Sequence, residues 1–156
     1  MEKPLAPSII WRCARLNELS PLELQRIHIA RQQVFAVEQN CVFQDADEVD
    51  ERSAHLAAWR EGGVLLGYAR IVDPGVKYGE PSIGRVLTTA GARGTGVGRA
   101  LVQRAVAYAA LSFPGQGLRI SAQLRLEPFY AEVGFGRVGE PYLEDDMPHI
   151  EMLRGG

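Results

Sequence analysis

The sequence has little cysteine and no long apolar run. Cys13 and Cys41 are the only cysteines in 156 residues, and no C-x-x-C spacing occurs. A disulfide framework and a cysteine-rich zinc site are therefore unsupported, and both cysteines are expected to be reduced thiols. No window is long and apolar enough to span a bilayer, so we expect no membrane partner.

Clustered positive charge is also lacking. The formal net charge is −2 at pH 7, and the basic residues are nearly all arginines, scattered except around residues 93–99. Because a nucleic-acid surface requires a clustered basic patch, no nucleic-acid partner is expected. The first residues lack the basic start and continuous apolar stretch of a secretory signal, which predicts a cytoplasmic location.

The length suits a single domain over residues 1–156, with one hydrophobic core. Ser20, Pro21 and Glu23 form a capping signature, and the apolar spacing that follows predicts a helix ending near Glu38. The remaining pattern predicts strands at 9–16, 55–60, 65–73, 83–88 and 118–123, a helix from 97 to a stop at Pro114, a short helix closed by Gly134, and two C-terminal strands. This order favours a mixed sheet with helices on both faces.

Residues 40–52 are rich in carboxylates and lack a sustained period, which predicts a loop. A calcium loop is excluded because "DADEVDERSAHL" has Val49 at its fifth position and Asp50 where glycine is required. We predict no metal. The acidic stretches 45–51 and 144–146 are interpreted either as solvated loop acids or as flanks of a site that attracts a cation.

The stretch "AGARGTGVGRALVQRA" joins a predicted strand to a predicted helix. Such a junction brings exposed main-chain N–H groups and the positive end of a helix together, which predicts an anion site. No Lys followed by Ser or Thr closes a P-loop. Gly94 and Gly96 are followed by Arg99 where a dinucleotide loop has its third glycine. Both nucleotide-binding classes are therefore disfavoured.

Two motifs resemble the GNAT N-acetyltransferase superfamily. The Arg-x-x-Gly-x-Gly pattern of residues 93–98 resembles its acetyl-coenzyme A loop, and "QLRLEPFYAEVGF" is similar to its closing helix. The segments "RQQVFAVEQNCVFQDAD", "IGRVLTT" and "EDDMPHIEM" are similar to the ElaA-like subgroup. The resemblance covers most of the chain. It implies a single-domain α/β (α+β) fold with a mixed, mostly antiparallel sheet of about six or seven strands and helices on both faces.

The resemblance also implies acetyl-coenzyme A as the donor. Its pyrophosphate would lie on the main-chain N–H groups of residues 94–99, and its pantetheine arm would pair with the strand at 86–88 as an added strand does. Gln123 stands where many members carry Asn. The implied cofactor contacts are Val86, Leu87, Thr88, Arg93, Gly94, Thr95, Gly96, Val97, Gly98, Arg99 and Gln123.

Tyr130 aligns with the tyrosine that donates a proton to the departing thiolate in many members; the alternative is a core aromatic with a satisfied hydroxyl. Many members carry a glutamate base on the strand before the glycine loop, but this chain has Arg85 there. Glu38 and His149 are the candidate bases. Each has a structural alternative, as a solvated helix-end carboxylate or a strand histidine, and a water relay to solvent is a third route.

The function implied by the resemblance is direct transfer of an acetyl group to a primary amine on a small molecule, peptide or protein. The missing strand glutamate favours a second hypothesis, a non-catalytic acyl-coenzyme A sensor or interaction module. An ATP-binding enzyme is a third. The sequence leaves open both the acceptor and the choice between a monomer and a homodimer. His55 is predicted to be structural, and Phe129 and Phe135 to be packing residues.

Overall fold

The fold is described for residues 8–156 of a computed structural model. Within these residues the chain forms seven strands and three α-helices. The strands are β1 (Ile10–Arg15), β2 (Ser53–Arg60), β3 (Val64–Val72), β4 (Ser82–Thr88), β5 (Leu118–Gln123), β6 (Gly136–Glu144) and β7 (Met147–Arg154). The helices are α1 (Pro21–Arg31), α2 (Val97–Ser112) and α3 (Glu127–Glu132).

The seven strands are divided into two antiparallel sheets, with strand orders β1-β2-β3-β4 and β5-β7-β6. The edge strands β4 and β5 meet where the Arg119 N–H donates to the Pro81 carbonyl at 3.1 Å. Both strands leave this contact in the same direction, as a strand-helix-strand crossover requires. They then separate, and residues 83–86 and 120–123 line the cleft between them. The predicted mixed α/β architecture is confirmed, and its division at β4 and β5 creates this cleft.

The first helical segment follows its predicted capping signature. Ser20 Oγ accepts from the Glu23 N–H at 3.1 Å, and a Glu23 carboxylate oxygen accepts from the Ser20 N–H at 2.9 Å. The segment continues beyond α1 as a π-helix over Gln32–Glu38, so the predicted end near Glu38 is confirmed. A π-turn is rare and is often found at functional sites. Here it lies beside the cleft.

Helices cover both faces of the first sheet. The predicted apolar face of α2 is confirmed, since Leu101 and Ala105 are fully buried. The same core includes Ile120 and Ile150 from the second sheet. Burying one such side chain contributes about 1.5 to 3 kcal/mol, so this core holds the two sheets together where main-chain pairing is lacking. No helix in the described part of the chain is both long and apolar enough to cross a membrane.

Candidate active site

A bulge in β4 shapes the wall of the cleft. Tyr68 of β3 pairs with Leu87 and Arg70 pairs with Gly84, so Arg85 and Val86 together face one residue of β3. Arg85 adopts a φ of 52°, which is uncommon for a residue other than glycine. A bulge leaves main-chain groups without a partner in the ladder. The bulged part of β4 therefore has main-chain hydrogen-bonding groups at the cleft that β3 does not engage.

Two connected cavities follow from this geometry. The central cleft, about 290 Å³, lies between β4 and β5 and is lined by Tyr130 and His149. The adjoining groove lies between the π-helix and the ends of β4 and β5, and reaches Arg93. Phe35, Gln39, Val86, Gln123 and Leu126 line both cavities. A ligand can thus extend from the glycine loop to the central cleft.

The glycine loop adopts a backbone conformation that favours glycine. Gly94 and Gly96 have φ values of 77° and 86°, and an added Cβ at either would meet no atom within 4 Å. Glycine is therefore required here by conformation rather than by crowding. The Ala100 N–H makes the first bond of α2, to the Gly96 carbonyl at 3.1 Å.

The loop also leaves main-chain donors available. In the described part of the chain, no hydrogen bond engages the N–H groups of Gly94 or of residues 96–99, and the loop is largely exposed. The Thr95 N–H differs, because it donates to the Ala92 carbonyl at 3.3 Å. These free donors stand at the N-terminus of a 16-residue helix, where the helix dipole favours an anion.

The two arginines of the loop are each paired with a glutamate. Arg93 lies 2.5 Å from Glu38, and Arg99 lies 3.4 Å from Glu132. Pairs as exposed as these contribute little, about 0 to 1 kcal/mol, so a phosphate could compete for either arginine. The pairing with Arg93 places Glu38 at the groove and the glycine loop, outside the lining of the central cleft.

Val86, Leu87 and Thr88 line the groove together with Gln123. Gln123 lies where the groove meets the cleft: its amide nitrogen donates to Gln39 at 3.3 Å, and its amide oxygen accepts from Arg125 at 3.0 Å. All the predicted cofactor residues therefore lie along the groove or on the loop at its end.

Tyr130 is buried against the central cleft. Its side chain is 7% exposed, and Phe129 and Phe135 pack edge-on at ring distances of 5.2 and 5.9 Å. Burial alone raises the pKa of Tyr130 to about 12, with no hydrogen bond from the described residues contributing. The phenol therefore keeps its proton at neutral pH, and no hydrogen bond among the described residues engages its hydroxyl.

His149, on β7, lines the same cleft and is 8% exposed. Its Nδ1 atom is 2.8 Å from the Met147 carbonyl oxygen, which can only accept, so Nδ1 donates to it. Its Nε2 atom is 3.3 Å from a carboxylate oxygen of Glu144, which also lines the cleft. The nitrogen left for proton exchange thus faces a carboxylate. The structure brings His149 together with Tyr130 and places Glu38 elsewhere.

In the acidic stretch at 45–51, Glu48 and Glu51 are exposed, whereas Asp45, Asp47 and Asp50 are ion-paired. Its aspartates form a buried network with three arginines: Asp45 with Arg31 (2.8 Å) and Arg85 (2.9 Å), Asp50 with Arg31 (2.9 Å) and Arg70 (3.0 Å), and Asp47 with Arg70 (2.7 Å). Three positive charges balance three negative ones. The network holds residues 45–50 against the sheet and orients Arg85, where many GNAT members have their glutamate.

His55 has the structural position predicted for it. It is buried, and its ring bonds the Tyr68 hydroxyl at 2.6 Å and the Asp50 carbonyl at 2.9 Å. Burial lowers the pKa of His55, which keeps the ring neutral. Sequence reasoning missed Glu144 as the partner of His149 and missed Lys77, another residue of the cleft lining. The acidic run at 144–146 was a signal for the first, but nothing local indicated the second.

Comparison with known proteins identifies the family. The profile described as "Acetyltransferase (GNAT) domain" matches residues 31–154. The chain belongs to the GNAT acetyltransferase family. It is therefore an acyltransferase, and members of the family use acetyl- or acyl-coenzyme A as the donor. Among residues 8–156, no group of three or more His, Cys, Asp or Glu side chains is arranged to hold a metal ion.

Relatives support the assignment over nearly the whole chain. A UPF0039 protein from Synechocystis is 41% identical over 145 residues, 93% of this chain and 94% of that protein. The crystal structure titled as an acyl-CoA N-acyltransferase from Pseudomonas aeruginosa has a TM-score of 0.89 at 41% identity, covering 95% of this chain and 100% of that one. Escherichia coli ElaA has a TM-score of 0.88 at 35% identity, covering 94% and 99%. The resemblance to GNAT enzymes and to ElaA is confirmed.

Proposed function

We propose that this GNAT protein is an N-acetyltransferase that moves an acetyl group from acetyl-coenzyme A to a primary amine by direct attack in a ternary complex, in the cytoplasm. One observation carries the proposal: Tyr130 and His149 line the same cleft, and that cleft continues into a groove ending at the glycine loop. The candidate acid, the candidate base and the donor site therefore lie along one continuous cavity.

The donor would be held mainly by main-chain groups. Its pyrophosphate accepts hydrogen bonds from the free N–H groups of Gly94 and residues 96–99, and each bond to a charged group contributes about 1.5 to 3 kcal/mol. Arg93 and Arg99 add charge. The pantetheine arm pairs with residues 86–88, next to the bulge that leaves backbone unpaired. These contacts are the same in the ground state and in the transition state. They therefore bind and orient the donor without accelerating the chemical step.

The acceptor amine must lose a proton before it can attack. With a pKa near ~10.4, an alkylamine at pH 7 is neutral at a cost of about 4.6 kcal/mol. His149 Nε2 takes this proton, and the Glu144 carboxylate stabilises the imidazolium. The amine lone pair then forms the C–N bond and the C–S bond breaks. Tyr130 donates its proton to the leaving thiolate, and the proton that the new amide nitrogen loses returns to the Tyr130 phenolate. Positioning of the two reactants supplies much of the remaining acceleration.

Glu38 is the weaker candidate base, because it is paired with Arg93 beside the glycine loop. The sensor hypothesis rested on the missing strand glutamate. His149 in the cleft offers a replacement for that base and therefore favours the enzyme.

Calorimetry with acetyl-coenzyme A, followed by thiol release with a panel of primary amines, tests the proposal. We expect saturable donor binding and amine-dependent thiol release. Donor binding without turnover of any amine would support the sensor instead, and no binding below millimolar concentrations would contradict both. If the protein is instead an ATP-binding enzyme, we expect ATP to compete for the glycine loop and coenzyme A not to compete for it.

A further inference from the structure

Lys77 is a cation in the central cleft that the proposed chemistry does not use. It lies on the turn between β3 and β4, which is closed by a hydrogen bond from the Gly75 N–H to the Tyr78 carbonyl at 2.7 Å. Its side chain is exposed and lines the cleft. Within residues 8–156 it makes no ion pair and no side-chain hydrogen bond.

The surroundings of Lys77 favour an additional anion. Partial burial in the cleft lowers the pKa of the Lys77 ammonium, and the charges of Arg70 and Arg85 lower it further, while Glu144 and Asp47 act in the opposite direction. Arg70 and Arg85 are already matched by aspartates of the buried network. Lys77 therefore adds a positive charge for which the described residues supply no paired counterion, and a bound anion would relieve this imbalance.

Another part of the cleft lining is negatively charged. Glu144 and Asp145 line the cleft, and Glu144 is the partner of His149. Asp145 makes no ion pair within the described residues, and its φ of 50° is held at the tight turn between β6 and β7. A substrate ammonium is attracted to this side, where the candidate base would deprotonate it.

We propose that the acceptor is a small molecule that carries a primary amine and an anionic group together, with a carboxylate as the simplest case: an amino acid in the broad sense. The amine lies at His149 and Glu144, and the anion lies at Lys77. This inference rests on the proposed acetyl transfer and specifies its substrate class. The cleft volume of about 290 Å³ is at the small end for ligand pockets and accommodates a molecule of this size.

The test compares two series of acceptors of equal chain length. One is a set of ω-amino acids from glycine to 6-aminohexanoate, and the other is the matching n-alkylamines. With wild-type protein, at the chain length that spans the cleft, we expect kcat/KM for the amino acid to exceed that for the alkylamine by roughly ten- to a hundredfold, the worth of one charge-assisted hydrogen bond. Mass spectrometry of the N-acetylated product confirms the site of transfer.

Lys77→Met removes the charge at nearly constant length, and we expect it to reduce this preference to near one. Lys77→Arg should restore most of it. Arg60→Met, an exposed arginine at the end of β2 away from the cleft, is the matched control and should keep the wild-type ratio.

Two outcomes overturn the inference and are distinguishable. Equal kcat/KM for both series, unchanged by Lys77→Met, would refute the anion site while leaving acetyl transfer to amines intact. Donor binding without thiol release from either series would refute the proposed function itself, and the substrate class with it. Because the acceptor preference is measured within the wild-type protein, a poorly folded Lys77 variant does not remove the test.

Discussion

The Nε2 atom of His149 lies 3.3 Å from a carboxylate oxygen of Glu144, although the two residues come from different strands of the β6-β7 hairpin. The Met147 carbonyl orients the other ring nitrogen at 2.8 Å. A histidine held in this way has one defined nitrogen directed at the cleft. We place the general base at this pair of residues. Many GNAT members instead carry a glutamate on the strand before the glycine loop.

His149→Asn should lower kcat by about 10² to 10⁴-fold, the usual contribution of a positioned general base. The dissociation constant for acetyl-coenzyme A should change little, because the donor groove lacks His149. Glu144→Gln should have a smaller effect, about tenfold, since it removes the partner and leaves the ring. Timed assays of thiol release measure kcat, and calorimetry measures the dissociation constant for acetyl-coenzyme A. Glu38→Gln is the comparison variant: if it slows kcat as much as His149→Asn does, the base has been assigned to the wrong residue.

Tyr130→Phe should preserve donor binding and slow thiol release by about 10² to 10⁴-fold, because the leaving thiolate loses its proton donor. Phe129→Leu, which alters the packing beside Tyr130 without removing a hydroxyl, controls for changes in shape. Comparable losses of donor affinity and turnover in Tyr130→Phe would argue for a packing role.

The raised pKa of Tyr130 also predicts a dependence of stability on alkaline pH. Its folded-state pKa of about 12 exceeds the unfolded value near ~10, so its contribution is fully present below pH ~10 and is lost as pH rises toward 12. The two-unit difference corresponds to roughly 2 to 3 kcal/mol. Urea unfolding at pH 9 and pH 11 should therefore show a smaller loss for Tyr130→Phe than for wild type. Identical losses would indicate that the phenol ionises normally in the folded protein.

Gly96→Asp should abolish measurable binding of acetyl-coenzyme A, because a carboxylate would stand among the phosphates at a loop whose free N–H groups would otherwise hold them. Gly96→Asn is the matched control, since it has nearly the same size and tolerates the left-handed φ of 86° better than most residues. We expect calorimetry to show at least ~100-fold weaker binding for Asp than for Asn, a difference of about 2.7 kcal/mol. If the two variants bind equally, the pyrophosphate does not lie on this loop.

Arg31→Met should destabilise the fold by about 3 to 5 kcal/mol, because it leaves Asp45 and Asp50 buried without their shared cation. Urea unfolding at pH 7 measures the change in free energy of unfolding, and the exposed variant Arg60→Met should stay within about 0.5 kcal/mol of wild type. A similarly small change for Arg31→Met would mean that the network contributes no net stability.

The same network predicts how the free energy of unfolding of the wild-type protein changes at acid pH. Burial acts to raise the pKa of Asp50, but hydrogen bonds and charges from Arg31 and Arg70 outweigh it, and the net pKa is lowered. A lowered pKa contributes stability above the unfolded value, ~3.9, and loses it as pH falls through the folded value. Unfolding free energies should therefore decline below about pH 4. Stability that is flat down to pH 2 would contradict this.

Local patterns were sufficient for most of the fold. The capping signature at Ser20, the apolar spacing along α2 and the glycines at 94 and 96 act within a few residues, through hydrogen bonding, periodic burial and φ preference. These are short-range properties, which is why the elements and the glycine loop could be predicted in advance. The cofactor residues stay predictions, although the structure places all of them on one groove or at its end.

The sequence alone determined the order of elements, the GNAT resemblance and the position of the glycine loop between a strand and a helix. Only the tertiary structure decided that β4 and β5 separate beyond Arg119, that Glu38 pairs with Arg93, and that three arginines pair with three aspartates of the acidic loop. The reason is physical: Arg93 and Glu38 are 55 positions apart and Arg85 and Asp45 are 40 apart, and the distance between such residues depends on how sheets and helices pack.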